Sequence, residues 1–431
     1  MASNDLRGLL NAVGGWEGFE VERWTTEETL APDAFGLPAP RIIIELRPTA
    51  RAGKRCSQCG QPVASVHDVS ERRVRDLPLM AHDVWLVFSQ TRLQCPRCGP
   101  TVEQIPWLDR YQRMTKRLAE TIARLAQVLP LTDVAALYHV GWDTVKQIDQ
   151  RALAARLGPL ESIDLSSVRQ IAIDEFALRR GQRYATLVVD VATKRVVWVH
   201  RGRDVAALAG FFAALGSTGC ARIEAVALDL AAPFVKAVKT YCPQAAIVSD
   251  LFHMLARYTA QVVDRVRMDE ANRLARPSRH AGRLQAEDAR RTLTGKGVRW
   301  LLLRDRRTLR TRAERVQLRE LLAANHALFV VYVLKDDLRR LWHFRYPKAA
   351  RRCWEGWAAR AHASGIPALE RFAQRLSLVI DYVINHARYP LHTSLLEGIN
   401  NKIKVMKRRA YGYRDEEYFF LKIRAAFPGI P

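Results

Sequence analysis

Four cysteines in two Cys-x-x-Cys pairs, Cys56 with Cys59 and Cys95 with Cys98, have the spacing that most plainly prescribes chemistry. Each pair brings two thiolates to one turn, and a glycine after each second cysteine, Gly60 and Gly99, frees the backbone for a tight knuckle. Two knuckles close a tetrahedral site, so the expectation is a zinc ribbon holding one structural Zn2+, with a longer inner spacing than usual. A redox role is the competing reading, but it needs one such motif rather than two. His67 could also be a ligand, although four cysteines already fill a structural site.

A second set of residues is acidic. Asp174 in Ile171-Ala172-Ile173-Asp174-Glu175 and Asp229 in Ala227-Leu228-Asp229-Leu230 each end an apolar run that reads as a strand. Far downstream, Glu397, Asn400, Asn401, Lys404 and Arg408 recur at three or four residues, a polar stripe on one helix with an acid at its top. Carboxylates gathered in one cleft repel unless a cation compensates, which predicts bound Mg2+ or Mn2+. Two such ions about 3.5–4 Å apart serve phosphodiester displacement by activating the attacking oxygen and stabilising the leaving one. Lys402, Lys404, Lys407 and Arg408 on the same helix would hold DNA phosphates. Taken singly, each acid has a plainer explanation as a turn cap or a surface ion pair; their joint order carries the reading.

These residues need elements to position them. Residues 168–173, 184–191 and 195–200 read as strands, 205–215 as a helix, 225–228 as a strand, 233–241 as a helix and 246–249 as a fifth strand. That βββαβαβ order is the core of a ribonuclease H-like α/β fold, in which the first and fourth strands lie side by side and bring Asp174 and Asp229 into one cleft. Asp250 ends the fifth strand and, with His253, could contact metal, DNA or the scissile phosphate.

Upstream, Leu118, Ile122, Leu125 and Leu129 have helical spacing. A short helix at about 132–138, a turn at Gly141 and a second helix starting near Asp143 or Thr144, either of which could cap it, form a helix-turn-helix pattern. Thr144, Lys146, Gln147 and Arg151 would face a DNA groove while Val140, Val145 and Ile148 pack inward; an ordinary helical hairpin is the alternative. Residues 1–50 say little beyond a strand at 42–46, and two strand-like pieces, 73–77 and 84–88, lie between the cysteine pairs. Residues 254–390 are helical and Arg-rich, with Trp300, Trp342, Trp354 and Trp357 suited either to stacking on a base or to a core.

The chain has 431 residues, enough for several domains, and 48% of them are hydrophobic. With 68 Lys and Arg against 44 Asp and Glu, the net charge is +24, which favours a polyanionic partner. An anionic membrane would also need an anchor, and neither a signal peptide nor a run of about 18 apolar residues is read, so no membrane partner and a cytoplasmic, nucleoid-associated location are expected. Seven cysteines, an odd number, fit a reducing compartment better than a disulfide framework. The expected division is 1–110 with the zinc ribbon, 111–160 helix-turn-helix, 165–254 the first part of the catalytic core, 255–388 an all-helical insertion interrupting it, and 389–431 the core's last helix with the third acid.

The order of a Cys pair, Val74-Arg75-Asp76-Leu77-Pro78, a second Cys pair, the helix-turn-helix, Ile173-Asp174-Glu175 and Leu396-Glu397-Gly398-Ile399-Asn400-Asn401-Lys402-Ile403-Lys404 resembles bacterial insertion-sequence DDE transposases of the ISL-three family. The resemblance covers about residues 40–427, and its last motif is the most specific. It implies an Asp-Asp-Glu triad that cuts and joins double-stranded DNA at terminal inverted repeats and at a target, with a helical insertion before the Glu. Carried over, Asp174 is the first acid and Glu397 the third. The second is Asp229 or Asp250; related transposases with such insertions favour Asp229, as does sheet geometry. Joining two ends to one target implies a homodimer or higher oligomer in a paired-end complex. The alternatives are a domesticated DNA-binding regulator without chemistry and a structure-selective nuclease of the same fold.

Overall fold

The computed structural model describes residues 2–28, 40–49, 54–80, 82–179, 181, 183–275, 283–391 and 394–430, with the side chains of 2–5, 283–286, 289, 296, 306 and 394 outside that description. The chain divides into two compact units, Met1–Gly158 with Met406–Ala426 and Pro159–Val405 with Phe427–Pro431.

The first unit begins with α1 (Ala2–Gly14) and β1 (Phe19–Glu27), then β2 (Arg41–Pro48), β3 (Val66–Leu79), β4 (His82–Cys95) and β5 (Gly99–Val102). They form a five-stranded sheet ordered β1-β2-β4-β3, with β5 on β4. Leu10, Trp16, Val21, Ile44, Val74, Leu86 and Trp107 fill its core. α1 and β1 are additions to the sequence reading, and β3 and β4 run well beyond the short pieces expected at 73–77 and 84–88. Residues 66–71 of β3 are exposed, so that half of the ribbon lacks the alternation that marks a half-buried strand.

The Arg75-Asp76 dipeptide has a structural explanation. Asp76 is fully buried and accepts hydrogen bonds from Trp16 Nε1 (2.8 Å), Thr115 Oγ1 (2.6 Å) and Arg117 Nε (2.7 Å). Arg75 donates to Asp83 (2.8 Å) and to the Tyr138 carbonyl (3.0 Å), and the other Asp83 oxygen meets His139 Nδ1 at 2.9 Å. Buried charges are tolerated when paired and hydrogen-bonded in this way, and the result ties the sheet to the turn of the helix-turn-helix.

That motif consists of α2 (Lys116–Val128), α3 (Leu131–Leu137) and α4 (Trp142–Leu157). Leu118, Ile122, Val134 and Val145 are its buried centre, with Val140 and Ile148 packed against them as the spacing predicts. The turn differs from expectation. His139, at φ 47°, takes the left-handed position, whereas Gly141 is extended (φ −64°, ψ 144°) and is itself the N-cap of α4, so neither Asp143 nor Thr144 caps that helix. The Asp83 bond to His139 holds a conformation that a histidine tolerates better than most residues.

In the second unit, β6 (Gln170–Arg179), β7 (Arg183–Asp190), β8 (Arg195–Arg201), α5 (Val205–Arg222), β9 (Ala225–Leu228), α6 (Ala232–Tyr241) and β10 (Ala246–Ser249) follow the expected order. The sheet is ordered β10-β9-β6-β7-β8, with β9 parallel to β6 and to β10, and β7 antiparallel to both β6 and β8. This is the ribonuclease H-like arrangement. By length and composition α5 could cross a membrane, a point missed in the sequence because Ser, Thr and Gly interrupt its apolar run. In the fold, Leu208, Phe211, Phe212 and Leu215 of α5 are buried in the core over the sheet. Gly210 permits the close approach: a Cβ there would lie 2.6 Å from the Trp198 ring.

After β10 the chain is helical: α7 (Leu251–Tyr258), a π-helical stretch at Thr259–Val263, α8 (Asp264–Leu274), α9 (Arg283–Thr294), α10 (Lys296–Leu303), α11 (Arg312–Ala324), α12 (His326–Arg339), α13 (Pro347–Ala363), α14 (Pro367–Ser377) and α15 (Ile380–Ile384). Trp342, Trp354 and Trp357 belong to its core with Tyr258, Leu328 and Phe372, whereas Trp300 is exposed. Arg304, Arg339 and Arg340 pair with Glu314, Asp305 and Asp337. Last come α16 (Ser394–Arg409) and α17 (Glu416–Ala426); in the first unit, α17 sends Tyr418 Oη (2.5 Å) and Lys422 Nζ (2.9 Å) to the buried Asp149 of α4.

Candidate active site and metal centres

Strand register sets the acidic residues. The parallel pairings end at Ile173 with Leu228 and at Leu228 with Ser249, so Asp174, Asp229 and Asp250 each follow the last paired residue of adjoining strands, at one level of the sheet. Asp174 does not end its own strand as expected: β6 continues to Arg179 against β7, and Asp174 stands where β9 leaves it.

The three differ in what their carboxylates do. Asp174 Oδ1 accepts from the Glu175 amide (2.8 Å) and Oδ2 from Asn400 Nδ2 of α16 (2.7 Å). Burial raises the Asp174 carboxyl above the usual range and Asp229 adds to the rise. Burial raises Glu175 too, with Asp229 and Asp174 contributing, while Arg203 lies 3.9 Å from it. Ionising this cluster is therefore costly without a cation. Asp229 Oδ1 accepts from the Ala231 amide at 2.9 Å. Asp250, 4% exposed, has both oxygens engaged: Oδ1 caps α7 through the Phe252 amide (2.9 Å) and Oδ2 meets His253 Nδ1 (2.6 Å). The Asp250 bond is the first cause of a raised His253 pKa, and Asp174 and Asp229 raise it further.

Glu397 is exposed in the first turn of α16, one turn before Asn400. Residues three apart share a helix face, so the helix whose Asn400 touches Asp174 carries Glu397 on the same side. The three acids are not drawn tightly together: among the described residues, only the four cysteines bring three or more ligand atoms within 4.8 Å of one another. Asn400 Oδ1 is buried without a hydrogen-bond partner among the described residues. Carboxylates with a spare amide oxygen are the donor set of a hard divalent cation, and Mg2+ or Mn2+ fits it. The sequence reading placed Asn400 on the polar stripe without a role and gave none to Glu175 or Arg203; the spacing of Asn400 from Glu397 was the available signal for the first.

The cysteine site is formed where β4 ends at Cys95 and β5 begins at Gly99, facing the Cys56–Cys59 knuckle. Cys59 Sγ lies 3.7 Å from Cys95 Sγ, close to the ~3.8 Å edge of a tetrahedron with Zn–S bonds of about 2.3 Å. Burial opposes ionisation of Cys56, but hydrogen bonds from the Cys59 and Gln58 backbone outweigh it and bring the thiol down to about 7. Cys98 is pushed up to about 12 by burial and by Cys59 and Cys56. His67 is not among the gathered ligands; it bonds Asp68 at 2.7 Å.

Of the expected DNA contacts, Gln147 and Arg151 are exposed on α4 and Thr144 is half-buried. Lys146 is engaged by Asp415 at 2.8 Å and lies over the Tyr418 ring. On α16, Lys404 and Arg408 are exposed, Lys402 lies over the Phe427 ring, and burial lowers the pKa of Lys407.

A ribonuclease H-like sheet with acids at one level of adjoining strands, joined by a late acid-bearing helix, defines a nucleic-acid phosphoryl-transfer domain of the DDE class. Residues 171–423 match the ISL3 DDE family described as "Transposase", residues 103–153 the "Helix-turn-helix domain of transposase family ISL3", and residues 52–98 the "zinc-finger of transposase IS204/IS1001/IS1096/IS1165". The transposase for insertion sequence element IS1001 of Bordetella parapertussis is 45% identical over 424 residues, 98% of each chain. The transposase for insertion sequence element IS1557 of Mycobacterium tuberculosis (strain CDC 1551 / Oshkosh) is 31% identical over 392 residues, 88% of this chain and 86% of its own. The chain belongs to the ISL3 family of insertion-sequence DDE transposases. It is an enzyme and a DNA-binding protein.

Proposed function

We propose that this transposase binds the terminal inverted repeats of its element through the zinc ribbon and helix-turn-helix, then cuts those ends and joins them to target DNA at a site built from Asp174, Asp229 and Glu397. The observation that carries this reading is the register that places Asp174 and Asp229 side by side, with Asn400 of the Glu397 helix on Asp174. These acids would hold two Mg2+ or Mn2+ ions, which supply an activated attacking oxygen and a stabilised leaving oxygen. The cysteines would hold one structural Zn2+.

Asp229 is the second acid on this reading. Asp250 instead caps α7 and holds His253 by Nδ1, leaving Nε2 of that ring to meet DNA near the reacting phosphate. Thr144, Gln147 and Arg151 read the repeat, while Lys404 and Arg408 hold backbone phosphates; Lys146, Lys402 and Lys407 join them only if their present contacts open. Within the two units, the ribbon, the helix-turn-helix, the two parts of the catalytic core and the helical insertion act as separate segments. Two ends require a homodimer or larger assembly, acting in the cytoplasm on nucleoid DNA.

The test is purified protein with a duplex carrying one element end and a supercoiled target plasmid. Nicks at the repeat boundary and a joined product, both dependent on Mg2+, are expected. Binding without nicking would point to a regulator, and cleavage of branched DNA without joining to a structure-selective nuclease.

A further inference from the structure

Asn400 is an amide bonded to the acid Asp174, and the two ends of its side chain are unequally used. Nδ2 donates to Asp174 Oδ2 at 2.7 Å, and Oδ1 is buried with no partner among the described residues. In this orientation the donor end of the amide meets an acceptor oxygen of Asp174, and the acceptor end is the one left over. A buried acceptor left unmade is destabilising, so a position of this kind is kept where something else satisfies it. The surroundings are acidic, with Asp174 bonded to the amide, Asp229 at the same level of the adjoining strand, and Glu397 one turn back on the helix. Such surroundings attract a cation.

We infer that Asn400 is a metal-site residue of this transposase, with Nδ2 orienting Asp174 and Oδ1 serving as an uncharged oxygen ligand to the cation that Asp174 binds. This rests on the assignment of Asp174 to the metal. It assigns α16 two contributions from one face, Glu397 and Asn400, three residues apart. A neutral oxygen adds a ligand without adding charge to acids that already repel.

The experiment is Mn2+ binding to the full-length protein, followed by the loss of the free-ion paramagnetic resonance signal with the cysteine site saturated by Zn2+. Asn400→Leu, close in shape but lacking both polar ends, is expected to weaken Mn2+ by about 10–100-fold, the usual effect of removing a partner of a metal ligand. Asn400→Asp loses the Nδ2 donor as Asn400→Leu does but keeps an oxygen at Oδ1, and is expected to bind Mn2+ more tightly than Asn400→Leu. If Asn400→Leu binds Mn2+ like the parent while its melting temperature falls, the amide is a structural tie and the inference fails. It fails equally if Asn400→Asp is weakened as far as Asn400→Leu, since Oδ1 then faces no ion. Asp174→Asn is the control and should lose binding. If it does not, the acid assignment itself falls, a result distinguishable from failure at Asn400 alone.

Discussion

Asp229→Asn is expected to bind repeat-end DNA like the parent protein and to cut it more than about a hundredfold more slowly, whereas Asp250→Asn retains measurable cleavage. Losing a partner of a metal ligand costs about 10–100-fold, so losing a ligand should exceed that range. The contrast follows from occupancy. Asp229 gives one oxygen to a turn amide, whereas Asp250 is buried with one oxygen capping α7 and the other on His253. An asparagine at 250 can still accept from the Phe252 amide, so the cap survives, and the loss is confined to the charge that orients His253. Single-turnover nicking, scaled to the fraction of DNA bound, separates the two. If Asp250→Asn is the inactive protein and Asp229→Asn the leaky one, the second acid has been placed on the wrong strand.

The second large effect is expected at the cysteines. Cys56→Ser or Cys98→Ser should take the metal content from one zinc per chain to none and open the ribbon to proteases. Among the described residues the buried cluster there contains only Cys56, Val63, Leu93 and Cys95, far too little apolar volume to hold a knuckle closed. Structural zinc in finger peptides contributes an apparent ~10–16 kcal/mol, comparable to the whole stability of a domain. Repeat-end binding should fall with the zinc, while Mn2+ binding at the acids persists. A parent protein that carries no zinc yet resists proteolysis around the two knuckles would remove this part of the account.

Legibility in the sequence followed the range of the interactions. The cysteine site could be read because each knuckle is fixed within four residues, and the sheet because its parallel strands are buried on both faces and run almost continuously apolar. Asp174 and Asp229 could be paired from strand order alone. What the sequence did not show depends on partners far away in the chain. Asn400 meets Asp174 across 226 residues, and no local pattern encodes that bond. The Asp76 network joins Trp16, Thr115 and Arg117, so the Arg-Asp dipeptide looked like a family signature without a physical cause. At the helix-turn-helix the sequence put the turn at Gly141, yet the left-handed residue is His139, bonded to Asp83, an example of tertiary contact overriding local preference. The exposed half of β3 escaped because a solvated ribbon has no buried face to print a period on the sequence.

The most direct test of the acid assignment replaces Mg2+ with Fe2+ and generates hydroxyl radicals at the bound ion, with the cysteine site kept filled by zinc. Fragments mapped by mass spectrometry should show the backbone cut near Asp174, Asp229 and Glu397 in the same sample, and excess Mg2+ should suppress all three. Cuts clustered at Asp250 and His253 with none near Asp229, or no cut near Glu397, would contradict the account.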